Sequence, residues 1–216
     1  MTAQTDTGCV VEAYGRRVVV ARSGGDRISC KVRGRSLEAV AGDQVRVSLE
    51  ASDDEWTVIE RVPRRNVLCR SDSRGRTESI AANLDQLGVV VAARPACDPF
   101  IVDRYLAGAS YAGIATLLVV NKLDLPADAG DLSFVDPLRA IGIPVVQVSA
   151  HAGTGLDALI AVLSGHRTML AGQSGVGKSS LLNALAGEAV RATGALSTAS
   201  GEGRHTTVSS AILQVP

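Results

Sequence analysis

Residues Gly172-Gln173-Ser174-Gly175-Val176-Gly177-Lys178-Ser179 have the form G-x-x-x-x-G-K-S, and they constrain the fold more than any other stretch of the chain. Such a loop works only between a buried strand and a helix. Its backbone N–H groups must converge at a helix start, where glycine keeps Cβ bulk out of the way. Both flanks are present: Thr168-Met169-Leu170-Ala171 reads as a buried strand, and Leu181, Leu182 and Leu185 recur at helical spacing. The stretch predicts a phosphate-binding P-loop built from Gly172, Gln173, Ser174, Gly175, Val176, Gly177, Lys178, Ser179 and Ser180. Lys178 would reach the β- and γ-phosphates, and the Ser179 hydroxyl would ligate Mg²⁺. A glycine-rich turn before an ordinary helix is the competing reading, and the intact pattern argues against it.

A chain of 216 residues, 46% of them hydrophobic, can bury one sizeable core plus a smaller module. The 22 lysines and arginines balance 22 aspartates and glutamates. No global field therefore attracts nucleic acid, and any such contact must come from local asymmetry. Met1 to Asp6 contains neither a basic nor an apolar leader segment, and no apolar run is long enough to span a bilayer. A cytoplasmic protein without membrane contact is the expectation. Cys9, Cys30, Cys69 and Cys97 are widely spaced, with no C-x-x-C pair, and read as reduced thiols.

Residues 1–63 carry five short segments rich in β-branched side chains: Cys9–Val11, Arg17–Val20, Ile28–Val32, Gln44–Val47 and Trp56–Ile59. Turn signals at Ser23–Asp26 and Ala41–Asp43 space them as in a small barrel, for which an OB-fold is the common five-stranded solution. Base stacking in such barrels needs aromatic side chains, and only Tyr14 and Trp56 are on offer. Backbone contact through Arg33 and Arg35 around Gly34 stands beside the plainer reading of a solvated turn. Residues 64–79 read as a basic linker, since from Arg61 to Arg76 six arginines face the single acid Asp72. That stretch is either an exposed crossing between domains or an RNA-backbone contact.

Residues 80–216 alternate strands and helices, the pattern of an α/β domain with a parallel sheet. Strand-like runs fall at Leu87–Val91, Thr116–Val120, Pro144–Val148 and Thr168–Leu170. Leu156, Leu159, Ile160 and Leu163 mark one apolar helix face, and Ile101, Tyr105 and Leu106 mark another. Two strands end in polar sequences that packing does not require. Asn121-Lys122-Leu123-Asp124 resembles the guanine-specificity motif N-K-x-D of GTPases. A carboxylate at Asp124 can accept from both guanine N1–H and its exocyclic amine, donors that adenine lacks. Asn121 would buttress the loop, and the aliphatic stem of Lys122 would cover the base. Ser149-Ala150 resembles the motif whose backbone N–H meets guanine O6. Each is short and weak alone, but together with the P-loop, at strand ends where such sheets bind ligands, they favour guanine over adenine.

The order of these motifs is unusual, because Asn121 and Ser149 precede Gly172, whereas in ordinary small GTPases the P-loop comes first. A circularly permuted domain behind an OB-like barrel resembles the ribosome small subunit-dependent GTPase A (RsgA) family. Ala82–Gln86, Val102–Leu106 and Gly203-Arg204-His205-Thr206-Thr207 also match it. The resemblance implies a GTP-hydrolysing factor in late maturation of the 30S subunit. It further implies GTP/GDP and Mg²⁺ as ligands, 16S rRNA contact through barrel and linker, and a monomer. On the same basis, residues 193–203 would be a switch region before a strand near Val208. Thr206 or Thr207 would complete the Mg²⁺ site and His205 would position the attacking water, the surface-histidine reading staying open. The family's D-T-P-G motif would follow Thr207 but is not found; Asp72–Gly75 and Asp85–Gly88 match D-x-x-G only by accident. The family's zinc is expected only in a C-terminal domain absent from this chain. The chain is thus expected to be an amino-terminal portion that turns over little. Two alternatives stay open: a P-loop nucleotide-binding protein with a coincidental N-K-x-D, and a catalytically silent RNA- or protein-binding module.

Overall fold

Alternation of apolar and polar residues with period two runs through the first 61 residues, and each apolar set turns inward. In the structure, a computed structural model that describes residues 4–34, 37–49, 55–71, 74–126, 130–192, 197–200 and 211–214, five strands result. They are β1 (Gln4–Tyr14), β2 (Arg17–Arg22), β3 (Arg27–Val32), β4 (Gln44–Leu49) and β5 (Trp56–Arg61). They close into a barrel in the order β1-β2-β3-β5-β4, the OB arrangement that the sequence implies. Closure depends on the length of β1, which pairs with both β2 and β4 and shifts register between Val10 and Glu12. At Gly8 the walls come so close that a Cβ would sit 2.5 Å from the Ala21 carbonyl oxygen. Val10, Val18, Val20, Cys30, Val32, Val45, Val47 and Val58 fill the interior. Burial pushes the Cys30 thiol up to about 11, so it stays protonated and packs as a small apolar group.

The stretch read as a basic linker is structured. Strands β6 (Val67–Ser71) and β7 (Thr77–Ala82) form an antiparallel hairpin. It belongs to the same unit as the barrel, residues 1–83, and residues 84–216 form the second unit. The sequence reading missed the hairpin because two of the arginines taken as solvated charge are structural. Arg64 forms a two-pronged bond to the fully buried Asp43 (2.8 and 2.9 Å) and donates to Ser79 Oγ at 3.2 Å. Asp43 also accepts the Val40 N–H at 2.8 Å. Arg61 donates to the Glu38 carbonyl at 2.9 Å. Asn83, in the left-handed region at φ 55°, accepts from Arg65 N at 2.8 Å and donates to Gly42 O at 2.9 Å. Gly42 itself lies against the end of β7, where a Cβ would stand 1.9 Å from Ala82 O.

In the second unit, β8 (Gln86–Ala92), β9 (Ala115–Asn121), β10 (Val145–Gln147) and β11 (Arg167–Ala171) run parallel. With β12 (Ser197–Ser200) and β13 (Ala211–Gln214) on the β11 side, the order is β10-β9-β8-β11-β13-β12. All seven residues of β8 are buried, as a central parallel strand requires. Its start is pinned to β11, where Asp85 accepts the Arg167 N–H at 2.7 Å and Gln86 donates to Thr168 Oγ1 at 2.8 Å. Asp85–Gly88 therefore leads into the central strand, with Asp85 just before it and Gln86–Gly88 opening β8.

Helix α1 (Pro99–Tyr111) starts with Pro99 behind an Asp98 cap that accepts the Phe100 N–H at 3.0 Å. It buries Val102 and Ala109; Ile101, Tyr105 and Leu106 are only half-buried. The expected face is thus rotated by about one residue toward smaller side chains. Short α2 (Val135–Ala140) precedes β10, and α3 (Leu156–Leu163) packs through Leu156, Leu159 and Leu163 as expected. Helix α4 (Lys178–Ala192) buries Leu181, Leu182 and Leu185. Among the described residues no helix is long and apolar enough to cross a membrane.

Because Arg64→Ala would leave Asp43 charged, buried and without its main partner, it is expected to destabilise the first unit by about 3–5 kcal/mol. Arg70→Ala, which opens only the half-exposed Arg70–Glu78 pair, should cost less than about 1 kcal/mol. Trp56 is the only tryptophan, so urea unfolding followed by its fluorescence reads both variants.

Candidate nucleotide site

The parallel strands deliver their carboxyl ends to one edge of the sheet. Asn121 ends β9, Ser149-Ala150 follows β10, and Gly172 follows β11. The sequence places these three segments far apart, and hydrogen bonds draw them together. Asn121, 2% exposed, donates from Nδ2 to Val176 O inside the P-loop at 2.9 Å and accepts the Ala150 N–H on Oδ1 at 3.1 Å. Lys122, in the left-handed region at φ 66°, donates from Nζ to Gly175 O at 2.7 Å and to Arg94 O at 2.8 Å. Its stem therefore lies along the P-loop flank, where the motif requires it to cover a base.

Glycine is required where the loop meets its neighbours. At Gly177 (φ 94°) a Cβ would approach Asn121 Nδ2 to 2.4 Å, and at Gly172 (φ 149°) it would approach Val90 O to 2.3 Å. Lys178 is 5% exposed, and its ammonium donates to Gly172 O and Gln173 O, both at 2.8 Å. Burial holds its pKa below the usual lysine value, so an anion arriving beside it would offset the missing solvation. The Gln173 Oε1 atom is buried without a hydrogen-bond partner among the described residues. Ser174, Ser179 and Ser180 are exposed, and Val176 is fully buried beneath the loop.

At the base-reading end, the buried Ser149 hydroxyl donates to Asp124 Oδ1 and accepts the Ala152 N–H at 3.0 Å. That donation holds the Asp124 carboxyl below its usual range, so the group is an ionised, acceptor-only carboxylate at neutral pH. The Ser149 N–H donates to Thr154 O at 2.9 Å, which folds 149–155 into a tight loop. Gly155 (φ 74°) is indispensable there, since a Cβ would lie 2.2 Å from Gln147 O. One arrangement differs from the expected chemistry: the Ala150 N–H, expected to meet guanine O6, is engaged by Asn121 Oδ1.

Sequence reasoning missed the β8–α1 loop. Arg94 O receives Lys122, and Pro95 packs against Gly175, where a Cβ would touch its ring carbons at 3.4 Å. Gly130 backs the same loop, with a Cβ there 2.1 Å from Ala93 O. The one available signal was position, at the carboxyl end of the central strand. His205, Thr206 and Thr207, with the rest of the expected switch from Thr193 to Gly203 apart from β12, lie outside the described residues. The strand expected near Val208 is present as β13 from Ala211.

A glycine cradle, a buried ammonium and an exposed serine at the helix start fit a nucleotide phosphate chain with Mg²⁺. Among the described residues no cluster of three or more His, Cys, Asp or Glu could hold a metal by itself. Mg²⁺ in a site of this kind is carried by hydroxyls, waters and phosphate oxygens.

The family model described as RsgA GTPase matches residues 61–216. The chain belongs to the RsgA GTPase family. The small ribosomal subunit biogenesis GTPase RsgA of Pseudomonas aeruginosa is 39% identical over 214 residues, covering 97% of this chain and 62% of the relative. Its counterpart from Nitrosomonas europaea is 42% identical over 213 residues, covering 95% and 66%. The chain thus spans less than two thirds of the length of these relatives. Among solved structures, YjeQ from Thermotoga maritima superposes with a TM-score of 0.64 at 29% identity, covering 92% of this chain and 72% of the other. YloQ, a circularly permuted GTPase, gives 0.59 at 28% identity, covering 83% and 64%. The fold is therefore an OB barrel followed by a permuted P-loop GTPase domain, as the order of motifs implied.

Asn121→Ala would leave Val176 O and the Ala150 N–H without their partner in a buried setting. We expect a loss of about 1–3 kcal/mol in the stability of the second unit, read by the thermal unfolding midpoint without nucleotide.

Proposed function

We propose that this chain binds guanine nucleotide across the three strand ends, hydrolyses GTP, and serves maturation of the small ribosomal subunit. The observation that carries the reading is the pair of bonds from Asn121 to Val176 and from Lys122 to Gly175. They join a base-reading segment to a phosphate-binding loop at fixed spacing, as a single nucleoside polyphosphate requires. Asp124 accepts from guanine N1–H and the exocyclic amine, while Ser149 keeps the carboxylate ionised and aimed. Lys122 covers the base, and Ala150 shares its N–H between Asn121 and guanine O6. The backbone of Gln173, Ser174, Gly175, Val176 and Gly177 cradles the β-phosphate, and Lys178 and Ser180 complete the phosphate contacts at the helix start.

Lys178 releases one of its carbonyl acceptors to meet the β- and γ-phosphates. Its positive charge then stabilises negative charge that builds toward the β–γ bridging oxygen. Ser179, with Thr206 or Thr207, would hold Mg²⁺, which when bound supplies further neutralisation of the phosphate oxygens. His205 would orient the attacking water through a neutral imidazole, since positioning and charge stabilisation account for most of such catalysis. These last roles rest on the Gly203–Thr207 match alone. The ribosomal role rests on the names of the relatives, and it implies a cytoplasmic monomer that approaches 16S rRNA through the first unit.

Asp124→Asn replaces a two-fold acceptor by an amide that can donate. It is expected to weaken GDP binding by about 100-fold or more, from the loss of charged hydrogen bonds worth about 1.5–3 kcal/mol each, and to favour xanthosine diphosphate. Competition titrations with a fluorescent guanine nucleotide decide this, and equal affinity of wild type for adenine and guanine nucleotides would refute guanine specificity. Lys178→Ala should abolish GTP hydrolysis, measured as phosphate release with and without purified small subunits.

A further inference from the structure

Guanine presents an acceptor, O6, beside the N1–H and amine donors. Asp124 is matched to the two donors, but O6 falls to the Ala150 N–H, which already bonds to Asn121 Oδ1 at 3.1 Å. Other amides around that edge are committed as well. The Ser149 N–H donates to Thr154 O at 2.9 Å, the Ala152 N–H to Ser149 Oγ at 3.0 Å, and the Gly153 N–H to Ser149 O at 2.9 Å. On the neighbouring loop the Leu123 N–H donates to Val148 O at 3.2 Å. His151 differs: neither its backbone N–H nor its imidazole has a hydrogen-bond partner among the described residues.

His151 follows directly on Ala150 in a loop pinned by those bonds, and it is exposed, as is Asp124. The Asp124 carboxyl is held below its usual range chiefly by the Ser149 hydroxyl, with smaller contributions from the charges of His151 and Lys122. The imidazole is therefore within electrostatic reach of the base-reading carboxylate. Lys122 directs its ammonium away, to Gly175 O and Arg94 O, so of the two it is His151 that is left to face a ligand. We propose that His151 is a base-reading residue, whose imidazole N–H donates to guanine O6 beside the shared Ala150 N–H. Adenine carries an amine at that position, and two donors facing each other in a closed contact leave both unpaired, so the same group rejects adenine. The neutral ring and the imidazolium both carry an N–H, and the charged form makes the stronger bond. The proposal rests on the guanine reading of the site and extends it to the O6 edge.

The test measures affinity of the full chain for GDP, ADP and 6-thioguanosine diphosphate, which replaces O6 by sulfur, a poor acceptor, and keeps the N1–H and the amine. His151→Ala should weaken GDP by about 3- to 10-fold at neutral pH and change the 6-thio analogue by less than about 2-fold. His151→Phe, which keeps a ring and loses the N–H, should behave like the alanine variant. His151→Gln keeps a donor that does not titrate, and it should recover most of the GDP affinity. A histidine gains its charge between about pH 8 and 5, while the Asp124 carboxylate stays ionised. The ratio of wild-type to His151→Ala affinity should therefore grow toward about 10- to 100-fold as the pH falls, with no such growth for His151→Gln; the ratio cancels titration of the nucleotide's own phosphate. Equal weakening of GDP and the 6-thio analogue, or of ADP, by His151→Ala overturns the proposal, since the ring would then act only through its charge or on the loop. Wild-type affinity in His151→Phe also overturns it, because the ring would merely cover the base. If Asp124→Asn abolishes a guanine preference that His151→Ala leaves intact, the guanine reading stands and the His151 assignment falls. Equal binding of GDP and ADP by wild type removes both.

Discussion

A single buried amide holds the nucleotide site together. Asn121 sits at the end of β9 with both of its polar atoms engaged, one by Val176 O and the other by the Ala150 N–H. A strand end in a parallel sheet leaves backbone groups at the edge with no ladder to join, and here one side chain links the loops that follow two other strands of the sheet to its own. The glycine at 177 follows from that link, because any Cβ there would collide with the amide. Lys122 repeats the device on the exposed side with its bonds to Gly175 and Arg94. Base-reading and phosphate-binding segments are therefore tied directly to each other, and circular permutation is tolerated because none of these bonds depends on the order in which the chain visits the strands.

The first unit depends on a different constraint, a charge that has been taken out of water. Asp43 is fully buried, and the two-pronged bond from Arg64 with the Val40 N–H offsets the cost of that burial. The pair ties the turn before β4 to the chain entering β6. Asn83 and Gly42 close the same junction from the other end of the hairpin. The result is a barrel with a hairpin held against it, in place of a barrel followed by an unstructured crossing.

Much of this was legible from residues alone. Five β-branched runs with turn signals became five barrel strands at the expected places, since period-two burial leaves a direct trace in composition. The P-loop, N-K-x-D and Ser149-Ala150 were likewise legible, because each demands particular residue types at short spacing. The hairpin was not, since Val67–Ser71 and Thr77–Ala82 have weak alternation and their arginines look solvated until their partners are known. The α1 face was misjudged for a related reason: Ile101, Tyr105 and Leu106 are the larger apolar groups, but the helix buries only Val102 and Ala109. The loop at Arg94–Pro95 has no motif, as it contributes a backbone carbonyl and a ring to the site, and neither leaves a spacing signature.

Residue patterns alone settle the two architectures and the permuted order, because these follow from local alternation of polarity and from short motifs that admit few residue types. The folded chain decides which charges are structural and which face outward, how the Ala150 N–H is used, and what walls the phosphate loop. Those outcomes depend on partners far apart in the chain, such as Asp43 with Arg64 and Asn121 with Val176, and no local pattern encodes a meeting between residues that only the folded backbone brings within hydrogen-bond reach.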